Sequence, residues 1–409
     1  MHTRTHARLI RASILAAGLA ASMLAGCGGS GAYTRQTSID HMTKMDVMKS
    51  ATEFDMARQS YFAGDLRKAL KRIDRSIAIN DQVAKSHVLR GRIQLEMSGL
   101  DEALDSLHTA EALAPENVDA HYFLGITYER LAEYEEALQH YKQAAELDPE
   151  DAQYVVAVAE VLIDDGRTDE AEAYILSRRS NFTHNAGVRQ TLGHIALMQN
   201  DHARALTMFS EARLLAPEDT DILEDLAQTQ ITLGRYGEAA ANLGKLLKDE
   251  EVAARRRDLR HMYARCLVET GRYIDARNVY LSLTEEDEGA ADVDAWIGLG
   301  NVACIIKDPY RHKSAARRIL TLAPDREEGY LLYAIYHRRR GEFGDALHYL
   351  DIGSKHVADT NAIYTLAGVV LTDMGRTDEA RQVLGAALID DPTNRTVAGM
   401  LDSLGEVNN

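Results

Sequence analysis

Small apolar residues set the rhythm of this chain. Alanine recurs every 34 residues at Ala69, Ala103, Ala137, Ala171, Ala205 and Ala239, and twelve positions before each stands a second small residue: Ala57, Gly91, Gly125, Ala159, Gly193 and Ala227. Such a pair predicts two helices folded back on each other, because helices approach closely only where neither carries bulk at the crossing. Five of the six prolines, Pro115, Pro149, Pro217, Pro324 and Pro392, fall at a single phase of this repeat and close its units. After Ala239 the phase moves by three residues to Ala276 and by two more to the next unit, then returns to 34 with Ala346 and Ala380. Ten helix-turn-helix units are predicted over residues 50–394. The eighth carries His312 where alanine is expected, which leaves room for its second helix to sit differently. Asp308 followed by Pro309 still predicts an N-cap and a first-turn proline there.

Stacked units bury their apolar faces against their neighbours, so both ends of the stack need covers. Residues 395–409 are predicted to supply the C-terminal one, because Val397, Met400, Leu401 and Leu404 share one helical stripe. At the other end Ile39, Met42, Met45 and Met48 recur every third residue, a less regular stripe predicting a possible N-terminal cap over Ser38–Met48.

His121, Leu124, Gly125, Tyr128, Ala137, Tyr141, Ala144 and Pro149 resemble the pattern of the tetratricopeptide repeat, as do Trp296, Leu299, Gly300 and Pro324 in a later unit. That resemblance implies an all-α, right-handed α-solenoid of about ten repeats, six over residues 50–253 and four over 254–394. A bend is expected at the phase slip between them. It also implies that function lies on a concave groove lined by positions 2, 5, 9, 12 and 13 of each first helix. In the first three repeats those positions and their neighbours present Phe54, Arg58, Tyr61, Phe62, Lys85, Arg92 and Tyr122. Exposed aromatics beside basic groups suit an extended peptide with apolar and acidic residues, although Phe54, Tyr61 and Phe62 read first as packing under an N-terminal cover and second as groove residues. The fourth to sixth repeats present Glu160, Asp164, Gln190, His194, Asp221, Glu224 and Gln228, and basic groups return at Arg265, Arg338 and Arg339. The carboxylate clamp of chaperone-binding relatives is not matched, since Phe54 and Arg58, then Asp119 and Phe123, hold its positions. A second basic cluster, Arg255, Arg256 and Arg257 with Arg260, falls at the phase slip and reads first as a solvated face, second as a binding patch.

The first residues differ in composition. Arg4, Arg8 and Arg11 precede an apolar run from Ile14 to Leu24, as in a secretory leader too short to favour a lasting membrane span. The run ends in Leu24-Ala25-Gly26-Cys27, which resembles a bacterial lipobox. The resemblance implies a signal peptide over residues 1–26, cleavage after Gly26 and lipidation of Cys27, with several acyl chains giving stable anchoring. Gly28 in place of aspartate implies, by the same resemblance, an outer-membrane lipoprotein facing the periplasm. Residues 27–49 are then the lipidated cysteine, a flexible tether to about Thr37, and the possible cap.

The formal charge is −17, and loss of the three leader arginines makes it three units more negative. That argues against nucleic acid as a partner. Cys266 and Cys304 sit in adjacent repeats at helical phases that point them apart, so a disulfide is not expected. No phosphate loop, zinc helix, nucleophile elbow or Cys-x-x-Cys is present, so neither an enzyme nor a cofactor is expected. His121 reads as a packed core residue, and His312, His337, His348 and His356 lack ligand spacing, so no metal is expected. The pairs Asp101-Glu102, Asp169-Glu170 and Asp378-Glu379 recur at one phase near the start of second helices, where negative charge is favourable. The resemblance to lipid-anchored tetratricopeptide-repeat proteins implies a scaffold that holds envelope or secreted proteins in its groove, serving pilus or exopolysaccharide-export assembly. The second reading is an adaptor that brings substrates to an envelope protease or peptidoglycan hydrolase.

Overall fold

The computed structural model describes residues 32–178, 180–285 and 289–406, with side chains from Lys44 to Leu404. Cys27 and the leader lie outside the described residues. These are 22 α-helices, with a short 3-10 turn at Gly289–Ala291 and no strand among the described residues. The first unit of the chain, ending at Thr183, holds four helix pairs. They are α1 (Ala32–Phe62) with α2 (Leu66–Ile79), α3 (Ala84–Glu96) with α4 (Leu100–Leu113), α5 (Val118–Arg130) with α6 (Tyr134–Leu147), and α7 (Ala152–Asp164) with α8 (Thr168–Arg178).

The second unit, from His184, holds six more. They are α9 (Ala186–Met198) with α10 (His202–Leu215), α11 (Thr220–Thr232) with α12 (Tyr236–Leu246), and, after the short α13 (Glu250–Arg255), α14 (Arg257–Glu269) with α15 (Tyr273–Glu285). Then come α16 (Val293–Ile305) with α17 (Pro309–Leu322), α18 (Glu327–Arg339) with α19 (Phe343–Gly353), and α20 (Asn361–Asp373) with α21 (Thr377–Asp390). The last helix, α22 (Arg395–Glu406), buries Val397 and Leu404 against Leu371, Leu384 and Ala387 and so covers the final pair.

The ten pairs are counted independently by the backbone. One residue per pair takes a left-handed conformation at the turn between its helices: Gly64, Ser98, Ala132, Gly166, Asn200, Gly234, Gly271, Lys307, Gly341 and Gly375. The reversal is so tight that L residues occupy it in four pairs, at a cost of about 1 kcal/mol each. The phase slip after Ala239 is taken up by α13, whose N-cap Asp249 accepts from the amides of Glu251 and Val252. It does not separate the two compact units, whose division falls at Thr183 and His184.

Within a pair the small residues do more than avoid a clash. Four residues after the repeating alanine stands a large side chain, and it fills the space over the small residue of the first helix. A Cβ added to Gly125 would lie 2.5 Å from the ring of Tyr141, one on Gly193 2.5 Å from Phe209, and one on Gly91 2.6 Å from Leu107. Tyr141 and Phe209 are buried almost completely, each worth about 2–3 kcal/mol of apolar burial. The eighth pair inverts this arrangement. His312 is 2% exposed and Ala316 stands four residues on, so the bulk has moved back by one turn. Gly300 there faces Leu332 of the next pair and Ala315. The helix itself forms as expected, with Asp308 accepting from the Arg311 amide and Pro309 at its first turn.

Two sequence expectations at the N-terminal end are corrected. Ala32–Thr37, read as tether, and Ser38–Met48, read as a separate cap, are one helix continuous with the first repeat. No proline or glycine interrupts residues 32–62, so nothing stops the helix from extending. Met45 is 55% and Met48 71% exposed, so neither covers an apolar face. Cys266 is buried, Cys304 half-buried, and both are free thiols.

Two predictions follow the packing. Gly125→Ala drives a methyl into Tyr141 and should destabilise by about 1–3 kcal/mol, whereas Ala132→Gly relieves a left-handed alanine and should stabilise by about 1 kcal/mol. Opposite shifts in thermal midpoint check the register, and equal shifts refute it. The second concerns His312, whose ring is held neutral by burial and by the nearby Arg339, bringing its pKa down to about 4 against a small opposing effect of a hydrogen bond to the Leu332 backbone. A depressed folded value means the stabilisation is complete above about pH 6.5 and is lost as pH falls from there towards 4. Between pH 7 and 4.5 wild type should therefore lose about 2–3 kcal/mol more than His312→Leu in urea unfolding. Parallel losses in both proteins would show that His312 is not held neutral.

Candidate functional site

Positions 5, 9 and 12 of the first repeat, counted from residue 50 within α1, and positions 2, 5 and 9 of the second, in α3, line one niche. It has a volume of 110 Å³ and is lined by Phe54, Arg58, Tyr61 and Phe62 from α1, and by Lys85, Val88, Leu89 and Arg92 from α3. Asn117 and Asp119, at the start of α5, complete it. Six of the seven residues expected to line a groove in the first three repeats are thus brought together, all but Tyr122. Their arrangement is layered: the Lys85 ammonium lies 4.9 Å from the centre of the Phe54 ring, and the Arg92 guanidinium lies 5.2 Å from Tyr61 and 4.6 Å from Phe123. Each cation is held over aromatic faces, an attraction of about 0.5–1 kcal/mol at such partly exposed sites.

The niche has hydrogen-bonding capacity to spare. Arg92 Nε is buried without a hydrogen-bond partner, a cost that a ligand oxygen would remove. Arg58 has a loose contact of 3.4 Å with Asp55 one turn away, where both side chains are more than half exposed. Tyr61 OH donates to Glu96 at 3.5 Å. Phe62 is 74% exposed at the mouth. Three cations against Asp119 leave the niche locally positive in an acidic chain. It can accept an apolar side chain among rings while its rim pairs with carboxylates.

Tyr122 stands apart from that niche. Its ring packs edge-on against Phe123 at 5.3 Å and Tyr154 at 5.4 Å, and tilted against Tyr141 at 5.7 Å. Around it phenols are held protonated: Tyr154 is pushed up to about 12 by burial and then by Asp151. Tyr141 is driven higher still by burial and by its 2.6 Å hydrogen bond to Glu129.

The basic residues at the phase slip are largely neutralised. Arg256 pairs with Glu224 at 2.6 Å and Asp258 at 2.8 Å, and its hydrogen bond holds the Asp258 carboxyl below the ordinary range. Arg257 pairs with Asp292 at 2.6 Å, and Asp292 is shared with His261. Arg255 meets Glu251 at 2.9 Å on the exposed face of α13, while Arg260 is buried. Their sequence neighbours gave no sign of this, because Glu224 and Asp292 are brought in from other repeats.

The structure adds a cavity that the sequence did not reveal. Beside His312 lies a space of 550 Å³ lined by Lys307, Asp308, Pro309, Tyr336, Arg339 and Arg340, within the usual range for small-molecule sites. The His312 Nε2 is buried without a partner.

Tetratricopeptide-repeat models match residues 88–152 and 331–395, and a second pair of matches covers 131–190 and 196–255, together more than half of the chain. The chain belongs to the tetratricopeptide-repeat family. Among curated proteins it is 34% identical over 128 residues to human protein O-mannosyl-transferase TMTC1, covering 31% of this chain and 14% of that protein. It is 23% identical over 154 residues to the bovine BBSome complex member BBS4, covering 38% and 30%. The rat DnaJ homolog subfamily C member 3 matches at 23% over 199 residues, covering 45% and 40%. The chain thus spans less than half the length of each of these relatives.

Solved structures include TTC0263 of Thermus thermophilus, at 22% identity and TM-score 0.38, covering 44% of this chain and 99% of that one. The type IV pilus biogenesis factor PilW stands at 16% and 0.44, covering 49% and 94%. A Parabacteroides merdae tetratricopeptide-repeat protein stands at 15% and 0.42, covering 71% and 99%.

Proposed function

We propose that this tetratricopeptide-repeat protein is a non-catalytic scaffold. In this reading it grips an extended, acidic and apolar segment of a partner protein across its first repeats. The observation that carries it is the niche between α1 and α3, where Phe54, Tyr61, Lys85 and Arg92 form cation–aromatic layers and an arginine nitrogen is left without a partner. Apolar anchors near cations are what concentrates binding energy in protein interfaces, and the local positive charge steers acidic segments towards it. A photo-crosslinking amino acid placed at Phe62 tests this in the native host. Arg58→Glu with Arg92→Glu should reduce captured partner about 5- to 100-fold, equivalent to about 1–3 kcal/mol, with helical content retained. Reversal of Arg255 alone should leave capture unchanged. If the Arg255 variant loses the partner and the niche variant keeps it, the niche is not the site.

The same reading puts the scaffold at a membrane surface through Cys27, whose Leu-Ala-Gly-Cys context and arginine-led apolar run support lipidation. Among the described residues no helix is long and apolar enough to cross a membrane. The partners are then envelope or secreted proteins, as in a pilus or exopolysaccharide-export assembly, or else substrates passed to an envelope hydrolase. Cys27→Ser should abolish incorporation of labelled palmitate and leave the chain at its precursor mass. Equal labelling of both proteins would remove the anchor from this reading.

A further inference from the structure

The second and third repeats bring four polar side chains together. Glu111 near the end of α4, His121 in α5, and His108 and His140 in α4 and α6 converge there. The His121 and His140 Nδ1 atoms lie 3.3 Å apart, and Glu111 Oε1 lies 3.6 Å from the first and 3.9 Å from the second. Two imidazoles held by about 2.0–2.1 Å bonds to one tetrahedral ion have nitrogens about 3.3–3.4 Å apart, which is the spacing found here. The carboxylate oxygen needs to move only a few tenths of an ångström to complete a third position.

The surroundings suit a metal. His121 Nε2 lies 2.8 Å from the Pro115 carbonyl oxygen, so that nitrogen carries the proton and donates, leaving the lone pair on Nδ1 aimed at the cluster. A carbonyl that fixes the tautomer of a ligating histidine is the usual outer partner in metal sites. The other Glu111 oxygen lies 3.1 Å from His108 Nδ1, and His108 Nε2 lies 2.9 Å from the Tyr128 hydroxyl, which orients the carboxylate. The Tyr128 ring stacks on His140 at 5.5 Å, closing one side. The His121 and His140 side chains are 7% and 11% exposed, whereas Glu111 at 29% and His108 at 44% leave a path from solvent.

We propose that Glu111, His121 and His140 form a binding site for a divalent transition ion of the zinc class, with water in the fourth position. Two imidazoles and one carboxylate make a borderline donor set that favours such ions over magnesium or calcium. The ion would tie α4, α5 and α6 together, stapling the second repeat to the third. This proposal does not depend on what the niche binds.

The purified full chain, stripped with chelator, is titrated with Co2+ as an optical probe and then with Zn2+. Wild type should take up one equivalent at this site with the intense visible bands of a tetrahedral centre, displaced by Zn2+, and Zn2+ should raise its melting temperature. Glu111→Gln, a near-isosteric change at a partly exposed position, should weaken Co2+ binding about tenfold or more. Glu111→Gln with His140→Gln should abolish both the bands and the Zn2+-dependent shift in melting. Tetrahedral bands that survive both substitutions would mean that the ion sits elsewhere, for example at His337, Glu342 and Asp345, and would overturn the assignment. So would wild type without tetrahedral bands at micromolar Co2+, which would leave a hydrogen bond between two neutral histidines as the explanation of their contact.

Discussion

The architecture of this molecule depends on one steric fit, a large side chain of the second helix seated over a small residue of the first, from which the eighth pair departs. Tyr141 over Gly125, Phe209 over Gly193 and Leu384 over Gly368 are instances of one contact repeated along the chain. The fit fixes how close two helices lie, and closeness fixes which residues of the first helix remain free to line a surface. With a methyl at Gly125 the ring of Tyr141 could not seat, and the pair would have to splay. The left-handed residue at each turn serves the same end. It reverses the chain in so few residues that the second helix returns in register with the first, and Ser98, Ala132, Asn200 and Lys307 show that this geometry outweighs the preference for glycine.

Much of this was legible in the sequence because the steric fit leaves a periodic trace. The alanines, their small partners and the closing prolines gave ten repeats, and the apolar stripe at Val397 and Leu404 gave the final cover. That Phe54, Arg58, Tyr61, Phe62, Lys85 and Arg92 are neighbours was legible too, since positions in one register of consecutive repeats lie side by side. What was not legible depends on long-range partners. Arg256 and Arg257 read as a basic patch until Glu224 and Asp292 arrive from neighbouring repeats to neutralise them. The helical state of residues 32–37 was hidden by polar, small residues that suit a tether in composition but contain nothing that breaks a helix, and the same lack of a breaker makes Ser38–Met48 continuous with the first repeat rather than a separate cap. Tyr122 holds a groove position by register, yet its ring is drawn into a cluster with Tyr141 and Tyr154 that no single repeat displays.

The histidines show the limit of position-by-position reading most clearly. His121 occupies the large-residue position of its repeat and is buried there, so its reading as core is correct as far as it goes. Its partner His140 lies 19 residues on, in the following helix, and Glu111 lies ten residues before it, in the preceding one. No short motif spans such distances. In a stack of helix pairs, chemistry is assembled from three successive helices, and its spacing in sequence is that of the repeat rather than that of a ligand motif.

The same architecture explains how binding residues can accumulate without endangering the fold. In a stack, each repeat's stability comes from its own seated side chain and its two neighbours, so residues on the exposed rim of a first helix are nearly free to change. The niche uses that freedom: Arg58, Lys85 and Phe62 are exposed, while the contacts that hold α1 and α3 in place are made by Ala57, Ile73, Leu89 and Ile93 behind them. Where the freedom is exceeded, the cost is local. His312 brings a polar ring into a position built for alanine and lines a space of 550 Å³ beside it, while Ala316, one turn on, is fully buried. A changed residue at one repeat position thus leaves the helix and its cap intact, and a repeat protein can acquire a new surface in one unit without rebuilding the others.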